Sequence, residues 1–406
     1  MHGYPSRIHQ RRESTTFQTA VSISLCVLSS RLLSDHVLTL EEWWYDSYNE
    51  GRDPLVPYVS IASCSSYWYP LNGSLICRAA DVIYHSMRFW EKIRNGTLPI
   101  TRSRGVFWDM HQYYCLFNTS RVPELPKDRL YRYFKTEAEG QLVTPDELHH
   151  VLSYIDQHSV EKLHCVASLT TEHRDTWAKL RASIIALSER NDHHIQIIEK
   201  SCFCVTLTDN VYETKSEQLH AALMGEAWMQ WADKSLNIIV CKDGQVLLQG
   251  EHSNVDAIAI GHSVDDVTLR SRKTIWQPKN LVFDVPKLLE FDLGSHECAA
   301  IDIAGKNFNL LKQSFRVDVV RFEGYGNDLA RKSNLYMDTV VQIALQLAFL
   351  KNSRQKSLCC AATLSETAFD MRRVCPPQLY ELNLMMAISY TITRLCEESN
   401  NGSIMN

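Results

Sequence analysis

A mixed α/β fold is predicted for this chain by three observations. Two apolar runs, 236–240 and 245–249, flank Lys242-Asp243-Gly244, and an Asp-Gly turn between strand-like runs is a strong hairpin signal. Apolar residues recur at helical spacing over 78–93, over 174–188 and again after Asp338. Finally, 45% of the 406 residues are hydrophobic and 22% charged, the balance of a globular chain that can bury a sizeable core.

The elements follow in order. A first structured segment opens near Ser34, with Ser34 or Asp35 as helix cap and Leu38, Leu40, Trp43 and Trp44 as anchors. Residues 78–93 form an amphipathic helix carrying Ala79, Val82, Ile83, Met87, Phe89 and Trp90. A second helix at 174–188 carries Trp177, Leu180, Ile184, Ile185 and Leu187, and a strand covers 202–207. The hairpin comes next. A further strand begins past Val317, a polar loop runs from Gly324 to Met337, and Asp338 caps a helix with Val341, Ile343, Ala344 and Leu347 on its apolar face. Internal repeats and low-complexity tracts are absent from the sequence.

Charge and cysteine content exclude several classes. With 42 Lys+Arg against 47 Asp+Glu, the net charge of -5 supplies no overall basic field, so nucleic acid is not the expected partner. No run of about 18 apolar residues suggests a spanning helix. The 13 cysteines contain no CxxC pair and read as reduced, buried thiols. The doublets His149-His150 and His193-His194 read as surface residues without a metal-ligand cluster. The first 33 residues hold Arg7, Arg11, Arg12 and Arg31 against the single acid Glu13, the pattern of a mitochondrial presequence; cytoplasmic or peroxisomal placement is the alternative.

Two segments could carry chemistry. The second hairpin strand leads into Gly250-Glu251-His252-Ser253-Asn254-Val255-Asp256. A histidine at the end of a buried strand is held rigidly, and Asp256 can orient its ring or stabilise the imidazolium if the chain turns there. The second segment, Gly324-Tyr325-Gly326-Asn327-Asp328-Leu329-Ala330-Arg331-Lys332, combines backbone freedom with adjacent cations suited to phosphate. It has neither the Walker nor the dinucleotide-loop spacing.

Taken with a series of shorter motifs, these segments resemble the carnitine/choline acyltransferase family, on the carnitine palmitoyltransferase side. The motifs run in family order: Glu41-Glu42-Trp43-Trp44, Arg52-Asp53-Pro54-Leu55, then Leu116-Phe117-Asn118-Thr119-Ser120-Arg121-Val122-Pro123 with Lys127-Asp128. Leu169-Thr170-Thr171, Arg174-Asp175, Trp177-Ala178 and Trp231-Ala232-Asp233-Lys234-Ser235-Leu236-Asn237 follow. Glu251-His252-Ser253 with Asp256, and the helix beginning at Asp338, complete the set.

The resemblance implies two chloramphenicol-acetyltransferase-like α/β domains of mixed sheets flanked by helices. Residues 1–34 would be a tail with a targeting role, 35–293 mainly the first domain with the catalytic histidine, and 294–406 a truncated second domain with the CoA loop. It implies His252 as general base, partnered by Asp256, in reversible transfer of a fatty acyl group between CoA and carnitine. Coenzyme A would be bound by the loop from Gly326 to Asp338, with Arg331 and Lys332 holding the 3′-phosphate. Acyl-CoA and carnitine are then the expected partners of a monomer that needs no tightly bound cofactor and leaves room for peripheral membrane association. A choline acyltransferase and a silent, acyl-CoA-binding relative are the alternatives.

The chain also departs from the family pattern. Asn327 and Asp328 stand where the family has a lysine and a glycine. Cys360-Ala361-Ala362-Thr363 replaces a substrate-contacting Thr-Tyr-Glu-Ser, and Arg372-Arg373-Val374-Cys375-Pro376 lacks a carnitine-contacting threonine. The family's Ser-Thr-Ser turn for the oxyanion and its carboxylate-binding arginine have no counterpart after Pro377, and a strand pair is missing after Gly140.

Overall fold

The computed structural model describes residues 40–64, 74–103, 106–135, 142–159, 164–271 and 285–333, with positions 335, 337, 339–341, 343–345 and 348. Asp338, the helix cap expected from the sequence, lies outside the described residues. The chain divides into two units, 1–50 and 51–406. In the first, helix α1 (Leu40–Glu50) packs Trp44 against Tyr48, ring centroids 4.6 Å apart and planes tilted by 34°, and Asn49 Nδ2 donates to Tyr45 O at 2.7 Å.

The second unit is built on a four-stranded sheet. Its strands are β1 (Ser60–Cys64), β6 (Cys204–Thr208), β7 (Leu236–Cys241) and β8 (Val246–Glu251), in the order β1-β8-β7-β6. β6 runs parallel to β7, and the other pairs are antiparallel. The expected hairpin is β7–β8, and Gly244 takes φ 81 in its turn, a conformation glycine adopts without strain. β7 and β8 are buried along their whole length, which explains a nearly continuous apolar run instead of an alternating one. Register is pinned by polarity inside the sheet: Asn237 stands opposite Gln249, and Gln249 Nε2 donates to Ser60 Oγ on β1 at 2.7 Å.

Helices cover both sheet faces. Leu236, Ile238, Val240, Val246 and Leu248 point into one core with α3 (Leu75–Arg94) and α9 (Ala257–Ser271). The alternate residues Ile239, Cys241 and Leu247 point the other way, onto Ala221 and Ala222 of α8 (Lys215–Met224). Helix α3 starts three residues before the expected 78 because Ser74 Oγ accepts the Cys77 N–H at 3.3 Å. Capping boxes open α5 (Pro145–His158), where Thr144 meets Glu147, and α8, where Thr214 meets Glu217.

The remaining elements complete the frame. They are the short α2 (Leu55–Tyr58), β2 (Arg102–Ser103) with β3 (Val106–Phe107), α4 (His111–Leu116), and β4 (Thr119–Val122) with β5 (Arg129–Arg132). A second core gathers Trp177, Leu180 and Ile184 of α6 (Arg174–Leu187), Ile195 of α7 (Glu189–Lys200), and Ile301 and Ala304 of α10 (Ser295–Ser314). The architecture is mixed α/β, as expected.

One strand expectation fails. Among the described residues past Val317 there is no strand; Val320 is 86% and Phe322 63% exposed, and the described residues offer this segment no ladder partner. The loop after it contains α11 (Asn327–Lys332), and helical positions resume at 337.

Candidate functional site

The strand β8 ends at Glu251, whose side chain is fully buried. An unpaired buried carboxylate would be costly, and this one is paired. Arg121 Nη1 donates to Glu251 Oε1 at 3.2 Å, the Ser253 backbone N–H lies 3.1 Å from the same oxygen, and the Ser253 hydroxyl donates to Oε2. The residues on either side of His252 are therefore anchored to the protein interior.

That anchor continues as an ion network assembled from the separate sequence motifs. Asp128 accepts from three arginines: Arg52 Nη1 at 2.7 Å, Arg121 Nε at 2.7 Å and Arg174 Nε at 2.6 Å. Arg174 Nη1 also donates to Asp233 Oδ1 at 2.7 Å, and Trp177 Nε1 to Asp233 Oδ2 at 2.6 Å. Arg52 Nε reaches Asp175 at 2.7 Å. Burial works against the charge of Arg174, but the carboxylates of Asp233 and Asp128 outweigh it and hold the guanidinium above its usual pKa. The backbone follows the same arrangement, since Arg121 N donates to Asp233 O at 2.8 Å.

Lys234, also from these motifs, is buried and caps the end of α7, with Nζ donating to Glu199 O at 2.9 Å and Ser201 O at 2.7 Å. Burial pulls its pKa down to about 8. Nearby, burial pushes the Cys202 thiol up to about 12 and raises Cys204 too, so neither is poised as a thiolate nucleophile.

His252 itself lies in the turn between β8 and α9 and is only partly buried. Its Nδ1 is 2.9 Å from Val255 O. Because a carbonyl oxygen can only accept, the proton of the neutral ring sits on Nδ1 and the lone pair on Nε2. The next peptide N–H, that of Asp256, donates to Gln112 Oε1 of α4 at 3.0 Å, and Asn254 Nδ2 reaches Cys115 O on the same helix at 3.5 Å. Asp256 is 3% exposed and directly precedes α9. The structure thus brings His252 and Asp256 into one anchored turn. Gln112 was not singled out from the sequence; it lies outside every quoted motif, four residues before Leu116.

The candidate CoA residues sit on a different element. Gly326 precedes α11, with open space where a Cβ would project, and Arg331 and Lys332 are exposed in the last turn of that helix. Asp338 lies outside the described residues. Among the described residues there is no His/Cys/Asp/Glu cluster able to hold a metal, and no helix is long and apolar enough to cross a membrane.

Comparison with known proteins is consistent across the chain. A family model of choline/carnitine O-acyltransferases matches residues 26–371. Human peroxisomal carnitine O-octanoyltransferase is 28% identical over 351 residues, 77% of this chain and 57% of the relative. Rat mitochondrial carnitine O-palmitoyltransferase 2 is 30% identical over 402 residues, 84% of this chain and 60% of the relative. The human mitochondrial enzyme of the same name is 27% identical over 371 residues, covering 77% and 56%. The chain therefore spans a little over half the length of these relatives. With a family match over most of its residues, this chain belongs to the choline/carnitine O-acyltransferase family.

Proposed function

We propose that this chain transfers a fatty acyl group between coenzyme A and carnitine, with His252 as general base. The observation that carries this reading is the 2.9 Å contact from His252 Nδ1 to Val255 O, which leaves Nε2 as the basic nitrogen on a ring that is not fully buried. In the forward direction Nε2 takes the proton of the carnitine hydroxyl while that oxygen attacks the thioester carbonyl carbon. The tetrahedral adduct collapses by breaking the C–S bond, and the thiolate recovers the proton from Nε2–H. Asp256, in the same turn, offsets the transient imidazolium charge. The step balances without a metal or an acyl-enzyme.

Arg331 and Lys332 are assigned to the 3′-phosphate of CoA, with Gly326 allowing close approach to the loop and Asp338 following by resemblance. The relatives include peroxisomal and mitochondrial proteins, which supports an organelle of fatty-acid metabolism, with the arginine-rich first residues favouring the mitochondrion.

The test is acyl exchange between palmitoyl-CoA or octanoyl-CoA and labelled carnitine, with choline as an alternative acceptor, for the chain and its His252→Ala form. Transfer to carnitine that vanishes in the variant is expected. Absence of transfer by both folded forms would overturn the enzymatic reading. It would favour a silent relative that binds acyl-CoA, to which Asn327 and Ala361 at family contact positions already point.

A further inference from the structure

His252 and Gln112 contact the two ends of a single peptide unit. The oxygen of the Val255–Asp256 peptide accepts from His252 Nδ1 at 2.9 Å, and its N–H donates to Gln112 Oε1 at 3.0 Å. A trans peptide is planar, with C=O and N–H pointing in opposite directions. Rotating that plane would withdraw the acceptor from the imidazole and the donor from the carboxamide together. Gln112 is 6% exposed and Asp256 3%, so water has little access with which to replace the bond between them.

The Val255–Asp256 peptide is held at Val255 by the core, at Asp256 by α9, whose Ala259 N–H reaches Asp256 O at 3.1 Å, and at its own N–H by Gln112. Glu251 is tied to Arg121, Ser253 to Glu251 and Asn254 to Cys115 O, but those bonds act on the residues before Val255. Helix α9 begins at Ala257, immediately after it. Between the two, the Gln112 bond is the contact made by the peptide's own N–H. Aligned hydrogen bonds also polarise one another, so a donor bond at the N–H makes the Val255 oxygen a better acceptor.

We infer that Gln112 is a positioning residue for the base. By fixing the Val255–Asp256 peptide it holds His252 in the Nδ1–H tautomer, with Nε2 unprotonated. The inference deepens the proposed function and, for its catalytic consequence, rests on that reading. The tautomer itself can be measured whether or not the chain turns over.

The experiment compares the full chain with Gln112→Met, which keeps the length of the side chain but loses the acceptor, and Gln112→Glu, which restores an oxygen. Ring ¹⁵N shifts of His252 are read in ¹⁵N-histidine-labelled protein, assigned by the signals lost in His252→Ala. The expected result is an Nδ1–H ring in the native chain, a mixture of tautomers in Gln112→Met, and recovery in Gln112→Glu. If acyl transfer is present, kcat should fall about 10-fold or more in Gln112→Met with KM for carnitine within about 2-fold, the low end of the loss that follows removal of the partners orienting a metal-bound histidine. An unchanged tautomer in folded Gln112→Met overturns the inference. Should that variant not fold, amide exchange at Asp256 in the native chain decides: protection is expected, and exchange at the rate of an open loop overturns it. An Nδ1–H ring that responds to Gln112 in a chain with no transfer would sink the enzymatic reading and leave the positioning role standing.

Discussion

Arg121 and Glu251 are 130 residues apart in sequence and form a fully buried pair, Nη1 to Oε1 at 3.2 Å. The pair joins the strand leading to His252 to Asp128, and through Asp128 to Arg52 and Arg174. It links an arginine on β4 and an aspartate before β5 to the strand that leads into the histidine.

Arg121→Met removes one cation from this network and leaves Glu251 without its charged partner. Breaking a buried pair from one side typically costs about 3–5 kcal/mol. Urea unfolding should show a loss of that order. A loss below about 1 kcal/mol would mean that water reaches Glu251 and that the network is not closed.

Gly250 packs against α9. A Cβ at this position would lie 2.5 Å from Ile260 Cδ1, too close for any relaxed contact. Gly250→Ala should therefore destabilise the chain by about 1–3 kcal/mol through overpacking. Combining it with Ile260→Val, which deletes the clashing methyl, should recover part of that loss in thermal or urea denaturation. Identical stability of the single and double variants would show that the strain is relieved elsewhere.

For the assigned phosphate contacts, Arg331 and Lys332 are exposed, so each is worth about 1 kcal/mol or less. Replacing both by Ala should weaken CoA binding by about 10-fold and leave dephospho-CoA nearly unaffected, as measured by calorimetric titration. Equal weakening of both ligands would remove the pair from the 3′-phosphate.

Glu297 in the first turn of α10 gives a pH dependence. The hydroxyl of Ser183 donates to its carboxylate at 2.6 Å, His296 Nδ1 is at 3.1 Å, and the Gly294 N–H reaches the second oxygen at 3.1 Å. These bonds lower its pKa from 4.5 to about 2. The folded-state value is depressed, so the stabilisation is fully present above about 4.5 and is lost as pH falls towards 2. Glu297→Gln should flatten the fall in unfolding free energy across that window. A native acid limb that survives the substitution unchanged would assign the effect to another carboxylate.

Local signals in the sequence located much of the fold. The Asp243-Gly244 turn specified the hairpin because few residues accept a left-handed backbone there, and the helical spacing of Trp177, Leu180 and Ile184 located α6 because side chains on one face must share a core. The strand expected past Val317 failed for the complementary reason: alternation of apolar residues makes a strand only when another strand supplies hydrogen bonds, and sequence pattern carries no information about that partner. His252 was readable as a candidate, since it directly follows a buried strand.

The sequence by itself determined the family, the order of its motifs, and which histidine stands at the end of the buried hairpin. Tertiary structure decided how those motifs are joined, placing Arg52, Arg121, Arg174 and Trp177 around Asp128 and Asp233, and giving the Val255–Asp256 peptide to His252 on one side and Gln112 on the other. The reason is physical. Helical and strand periodicities reflect backbone geometry within a few residues of chain, whereas the tautomer of an imidazole and the pairing of a buried charge depend on atoms about 3 Å away that folding brings from distant segments.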